Sequence, residues 1–553
     1  MSLISHSAEW AALTQHQQSL AQTSMRELFA ANPLRFEQFS LQLDGLLFDF
    51  SKHRITSETK DLLLSLARQA GLPEWMQALK QGEKVNRSEG RAALHHALRF
   101  RPDSGLPLTG DGIHAKILAV RQQMQQFVQA IRCGERLGYD GQAITDLVHI
   151  GIGGSDLGPR LAAEALRPFL TGGPRLHFVA NLDGGELART LAGLNPATTL
   201  FAVVSKTFTT LETATNAQSA RNWLLQSSSA ANVSQHFVAI TTNRQAAEQF
   251  GVAPENIFAF WEWVGGRYSV WSAVGLSLAC GLGWEGFEAF LEGAAAMDAH
   301  YFNTPLDQNL PVLMALLSIW YISFWGAESH ALVPYDDRLA RFPAYLQQMD
   351  MESNGKRVST EGVALDHASG AIIWGEVGSN SQHAFFQLLH QSQRLVPIDF
   401  IVSARPSHSL PDHHPQLVAN CLAQSEALMW GKTEAEVRAE LRANGLPEEE
   451  IERLTPHKVC PGNQPSSTLL FSELSPYTLG MLMALYEHKI CSQAAIWGIN
   501  PFDQWGVEFG KQLAKKIVPE LISPHAATEH DASTNGLIAA YRRYVELSGT
   551  SQQ

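Results

Sequence analysis

The sequence predicts an α/β protein built from two parallel-sheet domains, each sheet covered by helices on both faces. Three observations carry that reading. Short β-branched or apolar runs alternate with helical patterns twice along the chain, which is the texture of parallel strands joined by crossover helices. The length, 553 residues, exceeds what one hydrophobic core supports. Apolar residues make up 45% and charged residues only 17%, so much of the chain must be interior or interface.

Taken in order, residues 1 to about 115 read as helical, with apolar residues at three and four spacing in segments such as 59–70. The run 146–152 (DLVHIGI) is β-branched and closed by glycines, and 157–170 then returns to helical spacing. Further buried strands are expected at 176–180, 199–204 and 237–241, separated by helical stretches such as 212–225. A second alternation follows, with strands at 331–333, 371–374 and 397–402. Boundaries near Gly110 and Glu285 divide the chain into an amino-terminal helical segment (1–110), a first α/β domain (111–285) and a second (286–523). The polar tail 524–553 is expected to dock as an arm or to fray. The stretch 310–327 nearly reaches the length of a membrane span, but Pro311, Ser318 and Ser323 interrupt it, so it reads as a buried core helix and no membrane partner is expected. The charged segment 433–456 reads as a solvated helical surface.

Forty-one Lys and Arg against 54 Asp and Glu give a formal charge of −13, the wrong sign for a general nucleic-acid binder. The five cysteines, Cys133, Cys280, Cys421, Cys460 and Cys491, are far apart and form no CxxC pair, so neither a disulfide framework nor a zinc cluster is indicated. With no basic region followed by an apolar run in MSLISHSAEW, a reducing, cytoplasmic location is expected.

Several motifs carry chemistry. GIGGSDLGP at 151–159 lies between a predicted strand and a predicted helix, where ligands of parallel sheets sit, although a glycine turn needed only for chain reversal would look the same. It fails as a dinucleotide fingerprint because Asp156 stands at the third glycine position. SKTFTTLE at 205–212 gathers Ser205, Lys206, Thr207, Thr209 and Thr210 at a helix start, a set of donors suited to a phosphate monoester. A capping box of Thr209 with Glu212 explains part of it, but one cap does not occupy four hydroxyls. Arg267, in GGRYS, has glycine neighbours that let a backbone approach a ligand, or is a surface arginine beside a turn. In QQMDMESNGK, Gln348 and Glu352 stand four apart on one helix face, Gly355 closes the helix, and Glu352 lies near its carboxyl end, an environment suited to a general base. His383 and His390 each read as a site histidine or a core histidine. Gln504 and Lys511 are two turns apart on one face, while Glu508 offers Lys511 a plain surface partner. His408, Asp412, His413 and His414 are broken up by prolines and give no metal-ligand spacing.

Together with NRSEGRAALHHALR at 86–99, these segments resemble the glucose-6-phosphate isomerase family in order and approximate spacing, over essentially the whole chain. The resemblance implies two doubly wound αβα-sandwich domains of the sugar-isomerase type, with the amino-terminal helices packing on the second and further helices at the carboxyl end. It implies a phosphate site at Ser205, Lys206, Thr207 and Thr210, with Gly154 and Ser155 near the sugar. The proton-transfer base falls on Glu352, the ring-opening histidine on His383 and the family's lysine on Lys511. Arg267, Gln348 and Gln504 match substrate contacts, and Glu212 matches the carboxylate that orients the histidine. The chain departs from the pattern at Ser381 and Met349, neither of them catalytic. The family implies no cofactor and no metal, and a homodimer in which His383 completes the partner's site.

That chemistry agrees with the residues. Interconverting an aldose and a ketose phosphate needs one base serving two carbons and positive charge beside the developing enediolate. A metal-assisted hydride shift would instead need a carboxylate and histidine cage that the sequence does not offer. A non-catalytic sugar-phosphate sensor would use SKTFTT without needing Glu352, His383 and Lys511 as well. A dinucleotide-dependent dehydrogenase fails on the glycine fingerprint.

Overall fold

The computed structural model describes residues 3–100, 112–523 and 529–550, in two compact units, Met1–Phe502 and Asp503–Gln553. The expected boundary near Gly110 lies outside the described residues. In chain order the strands are β1 (Ser40–Leu43), β2 (Leu46–Asp49), β3 (Asp146–Ile150), β4 (Arg175–Val179), β5 (Thr199–Val204), β6 (Phe237–Ile240), β7 (Ile257–Phe258), β8 (Ser329–Tyr335), β9 (Ile372–Gly375), β10 (Ile398–Ser403) and β11 (Ser466–Phe471).

The first sheet is parallel throughout, in the order β4-β3-β5-β6-β7. Strands β3, β5 and β6 are buried along their whole length, as a sheet covered on both faces requires. Their side chains alternate between two cores: Leu147, Leu200 and Ala202 face the large central core, and Val148, Phe201 and Val203 face a separate outer one. Chain order reverses between β3 and β5, so the crevice of this doubly wound sheet opens where the loops after those two strands diverge. Those loops are 151–156 and 205–210, the two segments singled out by composition.

The second sheet runs β1-β2-β11-β10-β8-β9, with β8 to β11 parallel and the β1/β2 hairpin antiparallel at one edge. The reading of residues 1–115 as helical therefore misses a hairpin. Its turn is Asp44-Gly45, with φ of 44° and 80°, the primed geometry that an Asp-Gly pair adopts readily. The helical segment Phe342–Asn354 follows β8, and the turn Asn380–His383 follows β9.

The central helix Pro476–Trp497 is apolar almost all round and buried, and it packs on Trp284–Asn303 and Leu310–Ile319. The stretch 310–327 is thus a core helix followed by a wide turn, Trp320–Phe324, and no helix among the described residues is long and apolar enough to cross a membrane. A buried polar knot ties the 86–99 motif to these helices. Arg99 donates from Nε and Nη2 to both oxygens of Asp298, each at 2.7 Å, and from Nη1 to Glu487 Oε2 at 2.5 Å. Trp271 Nε1 donates to the other Glu487 oxygen at 2.6 Å, so the ions are paired and hydrogen-bonded as burial demands. The charged segment at 433–456 is helical as expected, in two helices, Glu434–Ala443 and Glu448–Lys458.

The unit Asp503–Gln553 holds the helices Trp505–Ile522 and Ala532–Thr550, joined by a hydrogen bond from Arg542 Nε to the Glu520 carbonyl at 2.8 Å. Much of the tail is thus helical, with 524–528 and 551–553 outside the described residues.

Candidate active site

Three loops from the carboxyl side of the first sheet meet one helix from the second. The loop after β3 forms a tight turn over Gly153–Ser155. A Cβ on Gly154 would lie 2.1 Å from the Gly266 carbonyl carbon and 2.5 Å from the Arg267 nitrogen, so only glycine lets these backbones touch. A Cβ on Gly153 would sit 3.2 Å from Gln348 Nε2, which brings the Phe342–Asn354 segment against the same turn. His149, buried at the end of β3, supports the turn from below. Its Nε2 donates to the Ser155 carbonyl at 2.6 Å and its Nδ1 accepts from Ser277 Oγ at 2.9 Å. Burial pushes this imidazole down to about 4.

Arg267 is buried, and its guanidinium clamps the helix that bears the candidate base. Nη1 lies 3.2 Å from Glu352 Oε2, Nε donates to Ser353 Oγ at 2.8 Å, and Nη2 donates to the Pro501 carbonyl at 2.5 Å. Tyr268 Oη shares Ser353 Oγ at 2.9 Å. The Glu352 side chain keeps one fifth of its surface exposed, enough to meet a ligand. Gln348 and Glu352 do not sit on a regular α-helix, because residues Gln347–Met351 form a π turn. Such wide turns cost helix stability and recur at functional sites. Gly355 ends the segment as expected, though with φ −74° rather than in the left-handed region; its glycine is needed because a Cβ would lie 2.5 Å from the Met351 carbonyl oxygen. From beneath, the buried Lys489 ammonium lies 3.2 Å from Asp350 Oδ2 and steadies the same turn.

After β5 the chain passes through Ser205–Thr210 into the helix Leu211–Leu225. The expected capping box of Thr209 with Glu212 is not formed. Thr210 is the cap residue and its side chain makes no capping bond; instead Ser205 Oγ donates to Thr210 Oγ1 at 3.2 Å, and Thr209 Oγ1 donates to Thr207 Oγ1 at 2.8 Å. The hydroxyls therefore bond among themselves and leave the amide N–H groups of the first helical turn for another acceptor. Lys206 Nζ donates to the carbonyls of Glu262 and Val264 at 3.2 and 3.3 Å, and burial lowers the pKa of this ammonium. Its own carbonyl accepts from Thr242 Oγ1 at 2.6 Å, pinning the loop to the one after β6. Glu212 lies in the first turn of the helix, half-buried.

The remaining expected residues are distributed differently. His383 is exposed at the close of its short turn, not inside a longer helix. His390 Nε2 meets Gln424 Oε1 at 2.9 Å, a structural contact. Gln504 and Lys511 belong to the second unit: Gln504 immediately precedes Trp505–Ile522 without a side-chain capping bond, and Lys511 Nζ donates to Glu508 Oε1 at 3.1 Å, the plain surface pair. Met349 and Ser381 are both buried. Ser353, Tyr268, His149 and the Pro501 carbonyl join the site without a motif that marks them in the sequence. A carbonyl has no sequence signature, and a serine beside a glutamate at a helix end reads as a solvated terminus.

A doubly wound protein whose first sheet opens its crevice onto a loop of hydroxyls and one ammonium, and whose second sheet delivers a guanidinium-clamped carboxylate beside that crevice, belongs to the class that handles small anionic ligands by acid–base chemistry. The comparisons narrow that class. The family described as phosphoglucose isomerase matches residues 49–538, and the chain belongs to it. It is 55% identical over 533 residues to glucose-6-phosphate isomerase 2 of Chromobacterium violaceum, covering 96% of both chains. It is 52% identical over 544 residues to the glucose-6-phosphate isomerase of Chlorobium luteolum, covering 98% of this chain and 99% of that one. The crystal structure of a glucose-6-phosphate isomerase from Chlamydia trachomatis superposes with a TM-score of 0.84 at 31% identity, over 98% of this chain and 100% of that one.

Proposed function

We propose that the protein interconverts glucose 6-phosphate and fructose 6-phosphate, opening the sugar ring and moving a proton between C2 and C1 through a cis-enediol. The observation that carries this reading is the Arg267–Glu352 pair, a fixed positive charge 3.2 Å from a partly exposed carboxylate. Glu352 takes the proton from C2 of the aldose and returns it to C1, while the hydroxyl proton passes between O2 and O1. Negative charge builds on those oxygens in the enediolate, and Arg267, held by Ser353 and Pro501, needs no reorganisation to stabilise it. Ser205, Lys206, Thr207 and Thr210 hold the phosphate, Gly154 and Ser155 border the sugar, and Gln348 and Gln504 contact its hydroxyls. His383 opens the ring with Lys511, and Glu212 orients the histidine.

The family relation and the exposure of His383 favour a homodimer in which His383 serves the partner's site. Within it we assign residues 111–285 and 286–523 to two sugar-isomerase domains, 1–110 to a segment packing on the second and 524–553 to an arm, in a cytoplasmic enzyme. A regulator that only binds sugar phosphate would not need a clamped carboxylate beside the anion loop. The test is direct: glucose 6-phosphate is added without metal or cofactor, and fructose 6-phosphate is followed by NMR of the reaction mixture. Accumulation to an equilibrium mixture supports the enzyme, whereas binding without conversion would establish the regulator.

A further inference from the structure

The 86–99 motif reaches the phosphate loop through one carboxylate. An ammonium has three N–H donors, and two of those on Lys206 are taken by the Glu262 and Val264 carbonyls. Beside the third stands Glu262 Oε2, 3.6 Å from Nζ, too far for a good hydrogen bond and close enough for attraction. The same oxygen accepts from Arg91 Nη1 at 2.6 Å, and Arg91 in turn pairs through Nη2 with Glu89. Glu262 is thus shared between two cations, with Arg91 holding the shorter bond. Its position is fixed by its neighbours: Trp261 and Trp263 stack with ring centroids 4.8 Å apart and planes 6° from parallel, and the Trp263 carbonyl accepts from the Leu94 N–H at 3.1 Å.

We propose that Glu262 is an internal competitor of the substrate phosphate for Lys206, and that Arg91 sets the strength of that competition by drawing the carboxylate toward itself. This rests on the reading of Lys206 as a phosphate ligand. A dianionic phosphate outcompetes one carboxylate already shared with Arg91, while a singly charged ligand gains less, so the device favours phosphorylated sugars and speeds their release. Glu262 and Arg91 act through Lys206, which makes them positioning residues.

The distinguishing property is the direction of the effect. If Glu262 were a strut for its turn, Glu262→Gln would weaken phosphate binding. As a competitor, its removal tightens binding, by about two- to fivefold, the scale of a half-exposed ion pair. The experiment measures the Kd of inorganic phosphate by titration calorimetry for the full-length protein and for Lys206→Ala, Glu262→Gln, Arg91→Met and the Glu262→Gln, Arg91→Met double variant. Expected are weaker binding in Lys206→Ala, tighter binding in Glu262→Gln, and weaker binding in Arg91→Met that largely disappears in the Glu262→Gln background, since Arg91 acts through the carboxylate. If Lys206→Ala leaves the Kd unchanged, the phosphate reading itself is wrong. If Lys206→Ala weakens binding but Glu262→Gln weakens it too or leaves it unchanged, or if Arg91→Met costs as much in both backgrounds, the competitor role alone is overturned.

Discussion

Arg267 shows how much work one buried side chain does at this site. Its three nitrogens reach the carboxylate and hydroxyl of two adjacent residues, Glu352 and Ser353, and the carbonyl of the distant Pro501, so replacing it by a shorter or single-headed cation breaks the clamp. Glu352 depends on that clamp for position but packs no core. Glu352→Gln should therefore fold and melt as the parent does while losing on the order of a hundred- to ten-thousandfold in kcat, the range for removal of a positioned base. Glu352→Asp, which draws the carboxylate back by ~1 Å, should lose about a hundredfold. Steady-state kinetics beside thermal melts separate these effects. For the anion loop, a Lys206→Ala, Thr210→Ala double variant should raise KM for glucose 6-phosphate and the inhibition constant of inorganic phosphate together, since both ligands use the same donors. Much of this was legible in sequence, because Glu352, Gln348, Arg267 and Lys206 each sit in a motif with a chemical reason for its residue types. Ser353 and Glu262 were not, since their roles arise only when distant segments meet.

At the scale of elements, the strands flanking the first crevice, β3 and β5, and the helices after them follow from apolar runs closed by glycine or by hydroxyls. The hairpin β1/β2 does not follow from the helical spacing of residues 1–115; the local signal for it is the Asp44-Gly45 pair at its turn. Strand β11 and the π turn have no local signature: the first is recognisable by its parallel partner β10, and the second by the clamp that holds it open. The turn at Gly153–Ser155 yields two expectations. Gly154→Ala pushes the Gly266–Arg267 backbone away and should cost about a hundredfold in kcat, by the sensitivity of reacting groups to ~1 Å displacements, with little change in the phosphate Kd. Beneath the turn, burial depresses His149 to about 4, with His96 and His300 also near 4 and His53 near 3. Unfolding frees each to bind a proton below pH ~6.5, so the stability they hold above that value is lost as pH falls toward 4. Asp156, raised by burial to about 6, and Glu487, also raised by burial, oppose this, but they are outnumbered by the histidines that burial lowers, which include His95 and His488 besides these four. The urea midpoint should therefore fall between pH 6.5 and 4, and His149→Gln should flatten the slope by at most about 1.4 kcal/mol per pH unit.

For the whole molecule, the low charged fraction fits a large subunit interface. If His383 completes the site built on the partner's Glu352, Glu352→Gln and His383→Ala parents should complement. In a mixed dimer one site carries both lesions and the other neither, so co-refolding should restore activity well above either parent. Mixed dimers, shown by distinguishable tags, with activity at the parental average would instead assign His383 to its own chain's site. The central claim, base-mediated transfer by Glu352, is tested most directly by isomerisation in heavy water without added metal or cofactor, with deuterium in the product read by NMR. A carboxylate base exchanges part of the proton it carries, so fructose 6-phosphate from the parent should contain solvent deuterium at C1, and Glu352→Gln should form neither product nor label at a comparable rate. Product formed at full rate by a folded Glu352→Gln variant, or product from the parent with no solvent deuterium at all, would contradict it.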